Sequence, residues 1–66
     1  KNMFEKSLAV NKFLKRGHVI TENDLETKKP KDMGIDSKEY LNIIGKSINR
    51  DINQGDFINY VDLEEF

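Results

Sequence analysis

The residues most able to do chemistry are three lysines, Lys28, Lys29 and Lys31, set around Pro30. Proline stiffens that stretch and biases the preceding residue to extended geometry. In an extended chain Lys28 and Lys29 point to opposite faces, so at most one of them can address a given ligand. The segment then offers a cationic or hydrogen-bond-donating contact to a polar or anionic ligand on a neighbouring domain. The plainer reading is a solvated basic edge that discourages strand-to-strand aggregation.

Other reactive side chains lead nowhere catalytic. His18 is the sole histidine and follows a glycine; with no second histidine or cysteine to complete a triad or a metal site, it reads as a solvated turn residue. Asp51-Ile52-Asn53-Gln54-Gly55-Asp56 has the flavour of a calcium loop. Its glycine stands fifth rather than sixth, however, and the twelfth position is Asp62 rather than a bidentate glutamate. Ser7, Ser37 and Ser47 lack a glycine elbow or a nearby base, and Ser37 fits a helix start. Glu64 and Glu65 read as a solvated tail. The isolated chain is therefore expected to have no catalytic residues and to bind no cofactor or metal.

The elements that must position the lysines come from an internal repeat. An offset of 38 positions carries Gly17 onto Gly55, and with it residues 10–25 onto residues 48–63. Asn11/Asn49, Gly17/Gly55, Ile20/Ile58, Asp24/Asp62 and Leu25/Leu63 are identical; Val10/Ile48, Leu14/Ile52 and Val19/Phe57 stay apolar, and Lys12/Arg50 stays basic. Lys15-Arg16-Gly17 and Asn53-Gln54-Gly55 are polar triplets ending in the residue that reaches positive φ without steric cost, which predicts two tight turns. Val10–Leu14 with Val19-Ile20, and Ile48–Ile52 with Phe57-Ile58, are strand-length apolar pieces flanking them. Thr21 precedes Asp24 by three and Asn59 precedes Asp62 by three, so each half should end in a capping box and one helical turn, with Leu25 and Leu63 anchoring those turns in the core. The expected fold is mainly β: short strands and 3-10 turns in two halves related by a pseudo-two-fold axis. Between the halves, Glu26–Lys29 reads as extended and Gly34 as another turn. Asp36 and Glu39 then form a third capping box opening a short helix over Ser37–Ile44, closed by Gly45.

Size and composition bound the rest. A chain of 66 residues without cysteine makes one domain with a thin core and no disulfide support, and a cytoplasmic origin is the simplest expectation. With 11 basic and 12 acidic residues interspersed, it lacks the single-signed field of a general nucleic-acid binder. No apolar run approaches the ~20 residues of a membrane span. The chain starts at Lys1, which suggests a segment of a longer protein.

Taken in order, Lys6-Ser7-Leu8-Ala9-Val10, Gly17-His18-Val19-Ile20-Thr21-Glu22-Asn23-Asp24-Leu25, Lys28-Lys29-Pro30, Ile44-Gly45-Lys46 and Asn49-Arg50-Asp51-Ile52 resemble the C-terminal SAF, or antifreeze-like, domain of bacterial sialic acid synthases and of relatives that make pseudaminic, legionaminic and spore-coat sugars. The resemblance spans residues 4–64 within a single domain, 1–66. It implies a β-clip, pretzel-like fold inside a cytoplasmic homodimeric transferase. In that family a TIM barrel condenses phosphoenolpyruvate with an N-acetylated amino sugar, using a divalent metal (Mn or Mg) held by the barrel, and the SAF domain of one subunit caps the barrel of the other. The family's sugar contact is an arginine in a Lys-Arg-Pro segment; the matching position here is Lys29, a flexible point charge in place of a planar fork. The start departs too, with Lys6-Ser7 where the family often has Arg-Ser. The same fold implies rival settings: an assembly chaperone of pili or flagella, a sugar-acid dehydratase, or an ice-binding protein whose surface around the first glycine turn would here carry Lys12, Arg16, His18 and Asp24.

Overall fold

The computed structural model describes residues 6–29 and 33–64. Two regular strands, β1 (Ser7–Val10) and β2 (Leu25–Lys28), pair antiparallel with Ser7 opposite Lys28 and Val10 opposite Leu25. Single-turn 3-10 helices occupy Glu22–Asp24, Ser37–Glu39 and Tyr60–Asp62, and one α-helical turn, α1, covers Tyr40–Ile43. Apart from β1 and β2, the described chain segments meet at isolated bridges: Leu14 with Ile52, Ala9 with Phe57, Val19 with Ser47, Ile48 with Leu63 and Ser7 with Asp36.

The predicted two-fold plan is visible in the hydrogen bonds. Leu14 and Ile52 exchange both backbone bonds, each 2.8 Å, so the pseudo-axis passes through this pair. Around it, Gly17 N–H donates to Ile48 O at 2.9 Å while Gly55 N–H donates to Val10 O at 2.8 Å. Likewise Ile20 N–H reaches Lys46 O at 2.9 Å, and Ile58 N–H reaches Leu8 O at 3.1 Å. Gly17 and Gly55 turn at φ 92° and 89°, the left-handed region that a Cβ disfavours. The halves bury matched residues against each other: Val10 with Ile48, Leu14 with Ile52 and Ile20 with Ile58 all belong to one core cluster, joined by Leu8, Ile35, Ile43 and Leu63.

One local expectation is corrected, and two are borne out with added detail. The pieces Val10–Leu14 and Ile48–Ile52 are not ladders, because two arms crossing at an axis touch at one residue pair and then diverge. The regular strands lie instead at Ser7–Val10 and at the extended segment predicted for Glu26–Lys29. The short helix expected at 37–44 is present, as a 3-10 turn over Ser37–Glu39 followed by an α turn over Tyr40–Ile43; of its capping box only the Asp36 cap forms, accepting from Lys38 N–H at 3.1 Å, while Glu39 accepts from the Asn42 side chain rather than reaching back. Gly34 sits in the bend expected there, without a positive φ. A Cβ there would stand 2.8 Å from Ile58 O and 3.1 Å from Leu8 O, so its glycine serves close backbone approach.

Candidate functional site

Two buried carboxylates organise the ends of the halves, and both follow from the predicted capping boxes. Asp24 Oδ2 accepts from Thr21 N–H at 2.9 Å and from the Thr21 hydroxyl at 3.1 Å; Asp62 Oδ2 accepts from Asn59 N–H at 2.9 Å. Each buried charge then needs a cation, and the halves supply it differently. Asp62 takes Arg50 Nε at 2.7 Å and Nη2 at 3.3 Å, a forked contact. Asp24 has Lys12 Nζ at 3.4 Å from Oδ1, and His18 Nε2 donates to Oδ2 at 2.7 Å. An ionised carboxylate only accepts, so the His18 proton sits on Nε2. His18 is thus not the solvated turn residue expected but the second partner of a buried charge. Burial pushes the Asp24 carboxyl up, yet the Thr21 amide, the His18 ring and the Thr21 hydroxyl outweigh it and hold the group at about 2. These residues are engaged within the frame.

The other candidates also resolve into structure. Asp51 of the calcium-like loop accepts from Arg16 N–H at 2.8 Å, and Asp62 is held as described. Ser7 Oγ accepts from Met33 N–H at 3.2 Å, and Ser37 is buried at the start of its 3-10 turn. Among the described residues no group of three or more His, Cys, Asp or Glu is placed to hold a metal ion, and no helix is long and apolar enough to cross a membrane.

The lysine segment behaves differently. Lys28 closes β2 half-buried; its Nζ donates to Gly55 O at 2.6 Å and lies 5.2 Å from the centre of the Phe57 ring. Lys29, the next residue, is exposed and takes no hydrogen bond or ion pair among the described residues. Pro30 and Lys31 lie outside the described residues. One amine is thus spent inside the domain, and the other, at the bend that follows β2, is exposed. Along the same strand runs an open cleft of about 340 Å³ lined by Leu8, Glu22, Leu25, Glu26, Thr27, Ser37 and Tyr40. No local pattern signals the Lys28 contact, because its acceptor is 27 residues away, nor the cleft, whose walls come from three separate segments.

Comparison with known proteins bears on this arrangement. The family profile described as the SAF domain matches residues 5–64. No curated protein matches the chain. Among solved structures, the antifreeze-protein-like domain of the human N-acetylneuraminic acid phosphate synthase gene, solved in solution, superposes with a TM-score of 0.87 at 18% identity, over 94% of this chain and 78% of that one. At that identity the likeness concerns the fold.

Proposed function

The chain belongs to the SAF domain family, and from that membership we propose that it is the noncatalytic domain of a sialic (nonulosonic) acid synthase, a cytoplasmic phosphoenolpyruvate-dependent transferase. In this reading it covers the mouth of the partner subunit's TIM barrel in a homodimer. The barrel holds the divalent metal and performs the condensation. This domain excludes water from the reacting centre, and Lys29 donates a hydrogen bond to the acetyl oxygen of the N-acetylated amino sugar.

The observation that carries the reading is the pairing of that fold with an unspent amine: Lys29 is exposed and without a partner among the described residues, while the adjacent Lys28 is committed to Gly55. Elsewhere Lys12 and Arg50 pair with buried aspartates and the His18 ring hydrogen-bonds one of them, so these side chains are committed to the frame. A lysine donates to a carbonyl through one of three rotatable N–H groups, so the contact is weaker and less directional than an arginine fork.

The test is Lys29→Ala in the full-length enzyme. The Michaelis constant for the acetylated sugar should rise about tenfold, as expected for loss of a charge-assisted hydrogen bond, while that for phosphoenolpyruvate stays constant. Lys29→Arg should restore or improve the sugar constant. An unchanged sugar constant in the alanine variant would remove Lys29 from the site.

A further inference from the structure

The geometry assigns Lys28 as the positioning residue for Lys29, coupling the sugar-facing end of β2 to the second glycine corner. This deepens the proposed function and rests on it. The connection is a closed circuit of short contacts. Gly55 N–H donates to Val10 O at 2.8 Å, at the end of β1. Gly55 O in turn accepts from Lys28 Nζ at 2.6 Å, at the end of β2. β1 and β2 are themselves paired, from Ser7 opposite Lys28 to Val10 opposite Leu25. Gly55 thereby ties both strands of the sheet, one through its amide and the other through its carbonyl.

That tie acts where β2 ends. A strand terminus is free to swing unless something beyond the ladder holds it, and Lys28 is the last laddered residue. Its ammonium is held by the Gly55 carbonyl and by the face of Phe57, a cation–π contact that adds to the hydrogen bond. With Lys28 turned toward the second half, the backbone alternation sends Lys29 the other way. For a flexible lysine standing in for a rigid arginine fork, holding the backbone at its base is the one available means of restricting where its amine can reach.

Nothing in the two-fold frame requires this clamp. The position 38 beyond Lys28 is Phe66, which has no amine to return to the Gly17 corner. A contact that one glycine corner has and its symmetric counterpart does not is unlike the paired bonds that hold the halves together.

Two experiments test the assignment. In the 66-residue chain, reductive methylation read by mass spectrometry should modify Lys28 at least about tenfold more slowly than Lys29; equal rates would overturn the clamp without any mutation. In the full-length enzyme, Lys28→Met keeps an unbranched side chain and deletes the ammonium that makes both contacts. The sugar Michaelis constant should rise about three- to tenfold with kcat, the phosphoenolpyruvate constant and the melting temperature unchanged. Lys28→Arg should rescue it, and Lys28→Met added to Lys29→Ala should cost nothing more than Lys29→Ala alone. If Lys29→Ala raises the sugar constant and Lys28→Met does not, the positioning role is wrong while the sugar contact stands. If Lys29→Ala has no effect, the contact itself is wrong and the role of Lys28 falls with it.

Discussion

Replacing Gly34 with alanine should be the most damaging single-methyl change among the described glycines, and for a reason unrelated to turn geometry. The added Cβ would lie 2.8 Å from Ile58 O, 3.0 Å from Phe57 Cβ and 3.1 Å from Leu8 O. The two oxygens belong to a closed ring of backbone bonds: Leu8 N–H to Ile35 O at 2.7 Å, Ile35 N–H to Ile58 O at 2.9 Å, and Ile58 N–H to Leu8 O at 3.1 Å. Neither carbonyl can retreat by the few tenths of an ångström needed without lengthening a bond in that ring. Overpacking costs about 1–3 kcal/mol, and weakening one buried hydrogen bond adds about 1 kcal/mol. The stiffer unfolded chain returns roughly 0.4–1 kcal/mol. The net loss is about 1–3.5 kcal/mol, a large part of the ~3–5 kcal/mol that a core of this size supplies. Gly17→Ala offers the contrast, because nothing lies within 4 Å of its Cβ and only the φ of 92° is strained, at about 1–2 kcal/mol. Urea unfolding followed by far-ultraviolet circular dichroism would rank the two. A Gly34→Ala midpoint equal to wild type, or a smaller loss than for Gly17→Ala, would refute the close-approach argument.

Two further predictions concern the symmetric frame. The Asp24 carboxyl, held at about 2 against 3.8 when unperturbed, contributes stability that is whole above its unfolded value and is lost as pH falls through the folded one. Unfolding free energy should therefore drop by up to about 2 kcal/mol as pH falls from about 4 to about 2, and an NMR titration of Asp24 with a midpoint near the ordinary aspartate value would contradict this. Asn11 Nδ2 donates to Asn23 O and Asn49 Nδ2 to Val61 O, both at 2.8 Å. Asn11→Ala and Asn49→Ala should each cost about 1 kcal/mol and agree within about 0.5 kcal/mol in urea unfolding, and a large difference between them would show that the halves are not energetically equivalent.

Legibility in the sequence followed the range of the interactions. The glycine corners, the first two capping boxes and the matched core pairs were readable because each is set by residues within a few positions of one another, and because the repeat stated every one of them twice. Strand β1 was not, since Ser7–Val10 is buried at all four positions and so shows no alternation. The arms near Leu14 and Ile52 looked like strands because they are apolar, yet a two-fold crossing gives each a single partner rather than a ladder. The local spacing showed that Lys28 and Lys29 diverge. It could not show which one stays inside, as the acceptor that decides this sits in the other half. His18 was misread for a related reason: a lone histidine seemed to need a second histidine or a metal, when its partner was the carboxylate already assigned to the Thr21 cap.

Departures from symmetry separate frame from function. The buried Asp24 and Asp62 pose the same electrostatic problem, an ionised carboxylate that must be compensated, and Lys12 with His18 solves it in one half as Arg50 does alone in the other. That asymmetry is chemical substitution under a shared constraint, and it commits Lys12 and His18 to the frame. The Lys28 clamp answers to no such shared constraint. The first corner at Gly17 turns at the same φ and donates an equivalent amide bond although the repeat matches Lys28 with Phe66, so the corner forms without a matching lysine. What the clamp does change is the end of β2, where the next side chain is the exposed amine of Lys29. Selection for folding alone would act on both corners alike, and a device confined to the corner beside the free amine is accounted for by the placement of that amine.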